Sequence, residues 1–365
     1  MTIKTRFRTQ TVLAAAVVAL SGLTAAVAAQ AGDAVDEAQA RADWRATMHQ
    51  ITVPMGGCFH ASYPSTQWQQ VQCASRPAYR SRLPMASPTR NEIVGNGADF
   101  VAQTPSGHLF SSALGSFPTV TGVKSEKSVG VRAFGDGGIL GNNEYTLQVN
   151  TNFFHSAACG SFTNCLAWQQ YVMSTNTPVS LTSNSLTGNT EVFIEYWLID
   201  YGVHTGGNIC PAGFVDGGAD AVGPGDDCVQ NTPATKIFTG QIPITDLASL
   251  SLSGSANAGG TDAATVTFDG EAFTASVADR FTDIASGWSV VEFNVLGNAG
   301  GSEAVFNTPV SLTAKIALTD GSTVAPTCLP PADLQGTTGE TNNLTAGSCT
   351  TTGGSSPSIE FTEAN

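Results

Sequence analysis

Short stretches in which apolar and polar residues alternate dominate the chain from Ser128 onward. They are rich in β-branched and aromatic residues, and turn-forming residues separate them about every ten positions, which is typical of β-strands. Asp269-Gly270 is a tight hairpin signal, and Asp320-Gly321 is a weaker one at a strand end. The pattern predicts strands at Val129–Phe134, Tyr145–Phe154, Trp168–Met173, Val192–Tyr201, Ile237–Ile242, Ala264–Phe268, Ala272–Val277, Ser289–Leu296 and Val310–Leu318, with Ser358–Phe361 as a closing strand.

Helical periodicity is absent after Gln50, and strands do not alternate with helices. We therefore expect an all-β chain, an antiparallel two-sheet sandwich of the jelly-roll or concanavalin-like kind with disulfide-closed loops. The predicted organisation is a signal peptide at 1–31, an N-terminal segment that is helical or a pro-segment at 32–56, and a single β-sandwich domain at 57–365 with an irregular first part at 57–127.

The N-terminus has the pattern of a secretion signal. Three basic residues within the first eight positions precede an apolar run, Thr11–Leu23, that is too short for a membrane span. Small residues follow, and signal peptidase could cut after Ala28 or Ala31. The alternative is an uncleaved anchor. We expect the mature protein to be secreted or periplasmic, and free of the membrane.

The negative net charge of the chain argues against some classes of binding partner. Loss of residues 1–31 would remove three positive charges and no negative one, changing the formal charge from −14 to −17. A chain this acidic is a poor partner for nucleic acid or anionic lipid. An extracellular polypeptide or glycan is the expected partner of a monomeric protein, and sparse charge is compatible with acid tolerance.

The cysteines form an even set of eight. In an exported chain the default is disulfides, and eight cysteines allow 105 connectivities. Pairing of sequence neighbours is favoured because each couple brackets a loop rich in Gly, Pro, Ser or Asn. The favoured pairs are Cys58 with Cys73, Cys159 with Cys165, Cys210 with Cys228, and Cys328 with Cys349.

Sorting each predicted strand into its two faces reveals polar groups among aromatic ones, because strand side chains alternate. Glu195 lies between Phe193 and Trp197 on one face of its strand, and a carboxylate is costly to bury there without a partner. Three further strands carry amides or a carboxylate on one face. These faces contain Gln148, Asn150 and Asn152; Trp168 and Gln170; and Trp288, Glu292 and Asn294.

If these faces share one sheet, they form a concave surface with the chemistry of an acid-hydrolase cleft or a sugar site. For a hydrolase we expect Glu195 as general base, Gln170 as the amide that stabilises an oxyanion, and Glu292 as second carboxylate. Two such carboxylates could also serve glycoside hydrolysis. The faces could instead lie on different sheets.

The main alternative is a lectin-like binding module, and a third is a surface protein without a site. The lectin would use Trp197, Trp288, Asn150 and Asn294 for sugar, and the expected substrate-binding residues are these four together with Trp168.

Glu191–Val215 resembles the strand-and-loop segment of neprosin-type glutamic peptidases. The aromatic strand with its Trp–x–x–Asp corner reads YWLIDYG here, and the following cysteine element reads CPAGFV. This chain departs from that pattern in the extra Ala212 and in lacking a cysteine before the loop.

Glutamic peptidases, including the fungal eqolisins, are two-sheet jelly rolls that use a carboxylate with a second Glu or a Gln to activate water. The resemblance implies that Gln148 or Gln170, with Glu195 or Glu292, plays these parts. Other segments, such as LQVNTNFF and EFNVLG, look like secreted bacterial and fungal β-sandwich proteins, a likeness that brings no activity.

Other chemistries have little support in the sequence. There is no G-x-S-x-G motif and no zinc-ligand spacing. No cofactor and no metal site are predicted. The one alternative is calcium in the loop 216–227, which lacks the EF-hand spacing but holds Asp216, Asp220, Asp226 and Asp227.

Overall fold

The computed structural model describes residues 36–78, 99–132, 137–179, 185–207, 209–219, 224–331 and 339–365, and the predicted signal peptide lies outside these ranges. Residues 36–48 are helical, as the composition of Asp33–Gln50 predicts. The remaining regular structure is β, apart from short 3-10 segments at Ala157–Cys159, Ile244–Ser249 and Ile284–Ser286.

The strands, numbered in chain order, are β1 Gly57–Ser62, β2 Gln69–Val71, β3 Val101–Gln103, β4 Ser112–Thr121, β5 Glu126–Gly130, β6 Gly141–Asn142, β7 Tyr145–Thr151, β8 Leu166–Ser174, β9 Asn189–Tyr201, β10 Val215–Ala219, β11 Asp226–Asn231, β12 Thr235–Thr239, β13 Ser251–Ser255, β14 Thr261–Phe268, β15 Glu271–Ala278, β16 Val290–Gly297, β17 Ser302–Phe306, β18 Ser311–Thr319, β19 Thr327–Leu329, β20 Glu340–Asn342, β21 Thr345–Thr352 and β22 Ser358–Ala364.

Two large antiparallel sheets form a sandwich, so the predicted fold class is confirmed. Sheet I has the order β2-β1-β15-β14-β13-β4-β18-β22-β21. Sheet II has the order β10-β11-β9-β8-β7-β16-β3-β19, with β12 paired to β9. A smaller sheet, β20-β17-β5-β6, lies beside them and contains a parallel pair, β17 with β20.

The strongest strand patterns are found where they were predicted. The hairpin between β14 and β15 turns at Asp269 and Gly270, which both have positive φ as a tight two-residue turn requires. Several strands were not predicted from the sequence, among them β11, β13 and β21. β11 and β13 have no aromatic or β-branched run, and in β21 the only such run is three threonines at its end.

The main core lies between the two large sheets, where glycines of sheet I receive aromatic rings of sheet II. A Cβ on Gly115 would lie 2.0 Å from the Phe293 ring, and one on Gly254 would lie 2.2 Å from the Tyr171 ring. Phe293 also packs on Phe117, with ring centroids 5.0 Å apart. These contacts show that the odd-numbered residues of β16 face sheet I.

Sheet II is buried on both faces. Every residue of β7, β8, β11 and β16 is buried. The face turned away from sheet I, here called the outer face, carries two small apolar clusters that are separate from the main core.

The N-terminal helix covers part of the opposite side of the molecule. Trp44 and Met48 pack on Ala61 of β1 and Ala272 of β15, on the side of sheet I turned away from sheet II. The Trp44 indole nitrogen also donates to the Ser65 carbonyl oxygen at 2.7 Å. The helix is therefore part of the packed structure.

All four predicted disulfides are confirmed, and no cysteine is free. Cys328–Cys349 joins β19 of sheet II to β21 of sheet I and so ties the two sheets at one edge. The Cys58–Cys73 bridge connects β1 to the segment that continues over sheet II. Among the described residues, no helix is both long and apolar enough to cross a membrane.

We expect Gly254→Ala to destabilise the protein by about 1–3 kcal/mol, because the new methyl group would push the Tyr171 ring out of its position between the sheets. Urea unfolding would measure the change. Gly207→Ala is the matched control, since a Cβ there meets nothing within 4 Å. Equal stability of the two variants would contradict the close seating of Tyr171.

Candidate functional site

A row of polar residues crosses the outer face of sheet II, one from each of five neighbouring strands. Strand register pairs Asn231 with Glu195, Glu195 with Gln170, Gln170 with Asn150, and Asn150 with Glu292. We call these five residues the polar row. Residues paired in register point to the same face, so the polar faces sorted from the sequence do share one sheet.

One indole group joins the carboxylate and the amide at one end of the row. Trp197 Nε1 donates to Glu195 Oε1 at 2.9 Å and to Gln170 Oε1 at 3.1 Å. Trp168 is the register partner of Trp197, and its own indole N–H donates to the Thr151 carbonyl oxygen at 2.8 Å. The indole of Trp197 therefore fixes the orientation of both candidate catalytic groups.

Amide side chains carry the hydrogen bonding onward to Glu292. Gln170 Nε2 donates to Gln148 Oε1 at 3.2 Å and to Asn150 Oδ1 at 3.1 Å. Asn150 Nδ2 donates to Gln148 Oε1 at 3.1 Å and to Glu292 Oε2 at 2.8 Å. Gln148 Nε2 donates to Thr146 Oγ1 at 3.0 Å. The chain of hydrogen bonds is thus continuous from one glutamate to the other.

Apolar side chains flank the row on both sides. One cluster contains Val101, Trp168, Trp197, Val229 and Val290, and the other contains Ile139, Val172, Phe193, Ala234 and Ala299. The polar row therefore runs between two apolar walls, where a low effective dielectric strengthens its hydrogen bonds.

The row is covered, which the sequence did not predict. Glu195 is 0% exposed and Gln170 is 1% exposed. Part of the cover is the segment after Cys73, where the Pro77 carbonyl oxygen accepts from Asn231 Nδ2 at 2.9 Å and Ala78 N donates to the Pro178 carbonyl oxygen at 3.1 Å. The open cleft expected from the sequence is a closed interior in this structure.

The burial also bears on the sugar-binding alternative. A lectin-like platform presents the flat face of an aromatic ring to its ligand. Trp168, Trp197 and Trp288 are all at most 1% exposed, so none of the three presents such a face.

Trp288 does not lie on the outer face, contrary to the expectation from strand alternation. Its ring packs in the main core against Phe110 and Tyr171. The reason is local: β16 begins only at Val290, and Trp288 follows a 3-10 turn and donates its backbone N–H to the Ile284 carbonyl oxygen. The two-residue period therefore does not extend back to this position.

The two glutamates expected to act together are far apart. Three strand spacings separate Glu195 from Glu292, which corresponds to about 14 Å between their backbones. Gln170 and Asn150 fill the space between them. The pairing of Glu195 with Glu292 as two carboxylates acting on one water is therefore corrected.

Glu292 instead belongs to a second group of carboxyls. The Asp99 carboxyl is in hydrogen-bond contact with Glu292, and burial, together with the nearby Glu292 and Glu363, raises the pKa of Asp99 well above its usual range. Asn294 Nδ2 donates to Glu363 Oε1 at 2.8 Å and to Asp99 Oδ2 at 3.3 Å. We call Asp99, Glu292 and Glu363 the carboxyl cluster.

Glu363 enters this cluster from the other sheet, since it lies on β22 of sheet I. Burial raises its pKa to about 7, with Glu292 adding to the effect and the hydrogen bond from Asn294 opposing it. Three carboxyls this close cannot all be ionised, so the cluster holds protons at mildly acidic pH.

Asp99 and Glu363 were not predicted as site residues. Asp99 precedes the weak strand signal at Phe100–Gln103, where no alternation points to it. Glu363 continues the alternation Ile359, Phe361 and was detectable by extending the closing strand two residues beyond Phe361.

The acidic loop considered for calcium is arranged differently. Asp226 accepts from His204 Nδ1 at 2.5 Å, and Asp227 accepts from the Asp200 backbone N–H at 3.1 Å. Asp220 lies outside the described residues. Within the described part of the chain, no group of three or more His, Cys, Asp or Glu residues is placed to hold a metal ion.

Comparison with known proteins adds little. No protein-family model and no curated protein matches the chain. A solved structure of scytalido-glutamic peptidase with a transition state analog inhibitor is similar over 78% of this chain and 97% of that chain, with 12% identity and a TM-score of 0.26. A likeness at that TM-score does not establish a shared fold or activity, and membership of a secreted family stays a prediction.

The carboxyl cluster predicts how the free energy of unfolding depends on pH. Glu363 has a pKa of about 7 in the folded protein and about 4.3 in the unfolded protein. Its contribution to the free energy of unfolding is therefore fully present below pH 4 and is lost as the pH rises through 7. We expect Glu363→Gln to change stability little at pH 4 and to stabilise the protein by about 3 kcal/mol at pH 8.5, because the amide cannot ionise.

Urea unfolding of both proteins at the two pH values would measure this difference. Glu360→Gln is the control, because Glu360 lies on the same strand but pairs with Lys315 at 2.7 Å on the surface. A Glu363→Gln variant that is equally destabilised at both pH values would contradict the assignment of a neutral carboxyl.

Proposed function

We propose that the protein is an acid-active hydrolase of the glutamic endopeptidase type, with Glu195 as general base and Gln170 as the oxyanion-stabilising amide. The observation that supports it is the pairing of these two side chains on adjacent strands under one shared indole N–H. Carboxylate and amide are then held side by side in an apolar setting, as positioned general-base catalysis requires.

The reaction follows from these groups. Ionised Glu195 accepts a proton from water, and the water oxygen attacks the peptide carbonyl carbon. The resulting oxyanion accepts a hydrogen bond from Gln170 Nε2, which in this structure donates to Gln148 and Asn150. Glu195 then passes its proton to the leaving amine nitrogen, the C–N bond breaks, and the carboxylate is restored.

Glu292 has a different part from the one expected from the sequence. It accepts from Asn150, which in turn accepts from Gln170. Glu292 therefore acts on Gln170 through Asn150, and it is a positioning residue in this proposal. The carboxyl cluster holds the far end of the chain of hydrogen bonds.

Burial sets a condition on the reaction. Because Glu195 and Gln170 are covered, substrate can reach them only in a form of the protein in which part of that cover is displaced. One described part of that cover is the segment at residues 74–78. An assay must therefore follow cleavage over hours as well as minutes.

We expect the purified protein to cleave denatured casein at about pH 3–5, where carboxylates exchange protons, and to resist pepstatin. Glu195→Gln should abolish cleavage, because an amide cannot accept the proton from water. Glu191→Gln is the matched control: the same change on the same strand at a buried glutamate that accepts from Thr177 at 2.6 Å.

Cleavage products identified by mass spectrometry would distinguish an endopeptidase from an exopeptidase. Absence of cleavage at any pH from 2 to 8 by folded protein would contradict the proposal, as would full activity of Glu195→Gln.

Trp197→Phe tests the positioning by the indole. Phenylalanine keeps a smaller aromatic ring at this position and lacks the N–H that holds Glu195 and Gln170. We expect kcat to fall by about 10²-fold with little change in KM, since the groups remain but are less well aligned. Trp168→Phe, which loses an N–H bonded only to a backbone carbonyl, should retain most of the activity.

A further inference from the structure

A histidine lies directly under the end of the N-terminal helix. His49 Nδ1 is 2.7 Å from Ser253 Oγ, and its Nε2 is 2.8 Å from Ser251 Oγ and 3.3 Å from Thr267 Oγ1. These hydroxyls belong to β13 and β14 of sheet I. Both ring nitrogens are therefore engaged by neutral partners on the sheet.

The same helix is also held by apolar contacts and by one partly buried hydrogen bond. Trp44 and Met48 pack on Ala61 and Ala272, with Tyr63 and Trp68 beside them, and the Trp44 indole N–H donates to the Ser65 carbonyl oxygen at 2.7 Å. Its remaining polar contacts lie at the surface, such as the exposed Arg41–Glu37 pair, and exposed ion pairs contribute little to stability. His49 adds contacts of both ring nitrogens with sheet I to this docking, so a change in its protonation changes how strongly the helix is held.

The surroundings of His49 oppose a positive charge. The helix places Arg45 beside it, and the strands beneath it present only hydroxyls. On the same face of sheet I, Lys315 and Glu360 pair with each other, two and three strands away from β13. Burial, with Arg45 adding to it, lowers the pKa of His49 to about 3.

We propose that acid pH releases the helix 36–48 from sheet I while the β-sandwich stays folded, and that protonation of His49 is the trigger.

The direction follows from linkage. Released His49 has an ordinary pKa of about 6.5, so its neutral docked form is favoured above that value and increasingly disfavoured as pH falls toward 3. At pH 4.5 the ratio of released to docked helix should be about 100-fold higher than at pH 7.5.

The sandwich responds to acid in the opposite sense. Burial raises the pKa of Glu126 to about 8 and that of Glu363 to about 7, so acid keeps these buried carboxyls neutral. Acid therefore weakens the docking of the helix but does not ionise these carboxyls of the sandwich, so the helix can be released while the sandwich stays folded. The proposal does not depend on peptidase activity.

Hydrogen exchange followed by mass spectrometry tests it on the full-length protein, with exchange times corrected for the intrinsic effect of pH. We expect peptides covering 36–50 to lose protection by about 100-fold between pH 7.5 and pH 4.5, while peptides from β8 and β14 keep theirs. Intact mass measured at each time point would exclude cleavage as the cause.

His49→Gln should keep the helix protected at both pH values, because glutamine can still bond to the serines and cannot be protonated. His155→Gln, which replaces an exposed histidine, should behave as the wild type does. Unchanged protection of 36–50 in the wild type at pH 4.5, or an equal loss in His49→Gln, would overturn the proposal.

If His49→Gln leaves the helix undocked at pH 7.5, Arg45→Gln provides the second test. Removing this cation weakens the opposition to a charged His49, so the loss of protection in acid should be smaller than in the wild type. A loss of the same size would overturn the proposal.

Discussion

The two-sided burial of sheet II is the constraint on which the rest of the structure depends. A central strand buried on both faces usually carries apolar residues on both. Here the outer face carries amides and carboxyls, and each must find a partner within the protein because water is excluded. The neighbouring strands supply those partners in register, so strand pairing and side-chain hydrogen bonding specify the same alignment. A slip of one residue would turn Glu195 and Gln170 into the main core.

Much of this arrangement was predictable from alternation within single strands. Glu195 with Trp197, and Gln170 with Trp168, were assigned to common faces that the structure brings together. The order of the strands was not predictable, because no local pattern reports which strands pair across long connections. Trp288 was misplaced since the strand period was extended into a 3-10 turn, and Asp99 was missed because it lies before a short strand with little alternation.

The sequences of these strands do not indicate that the polar row is buried. That burial depends on residues far away in sequence, such as Pro77, whose carbonyl oxygen meets Asn231. The composition gave a partial indication: with 15 Lys and Arg against 29 Asp and Glu, many carboxyls cannot have a cationic partner. Buried carboxyls lie beside amides instead of cations, as Glu363 lies beside Asn294. Burial raises the pKa of Glu363 to about 7, so this carboxyl is protonated in mild acid.

The Cys58–Cys73 disulfide reinforces the contact between two parts of the molecule, because Cys58 also pairs in register with Val71, two residues before Cys73. Cys58 belongs to β1, the strand that also carries Ala61 of the helix floor, and Cys73 directly precedes Ala74, where the segment over the polar row begins. One covalent bond therefore anchors both the floor of the helix and the start of that covering segment. In a reducing compartment both surfaces, on opposite sides of the protein, would lose this shared anchor at once.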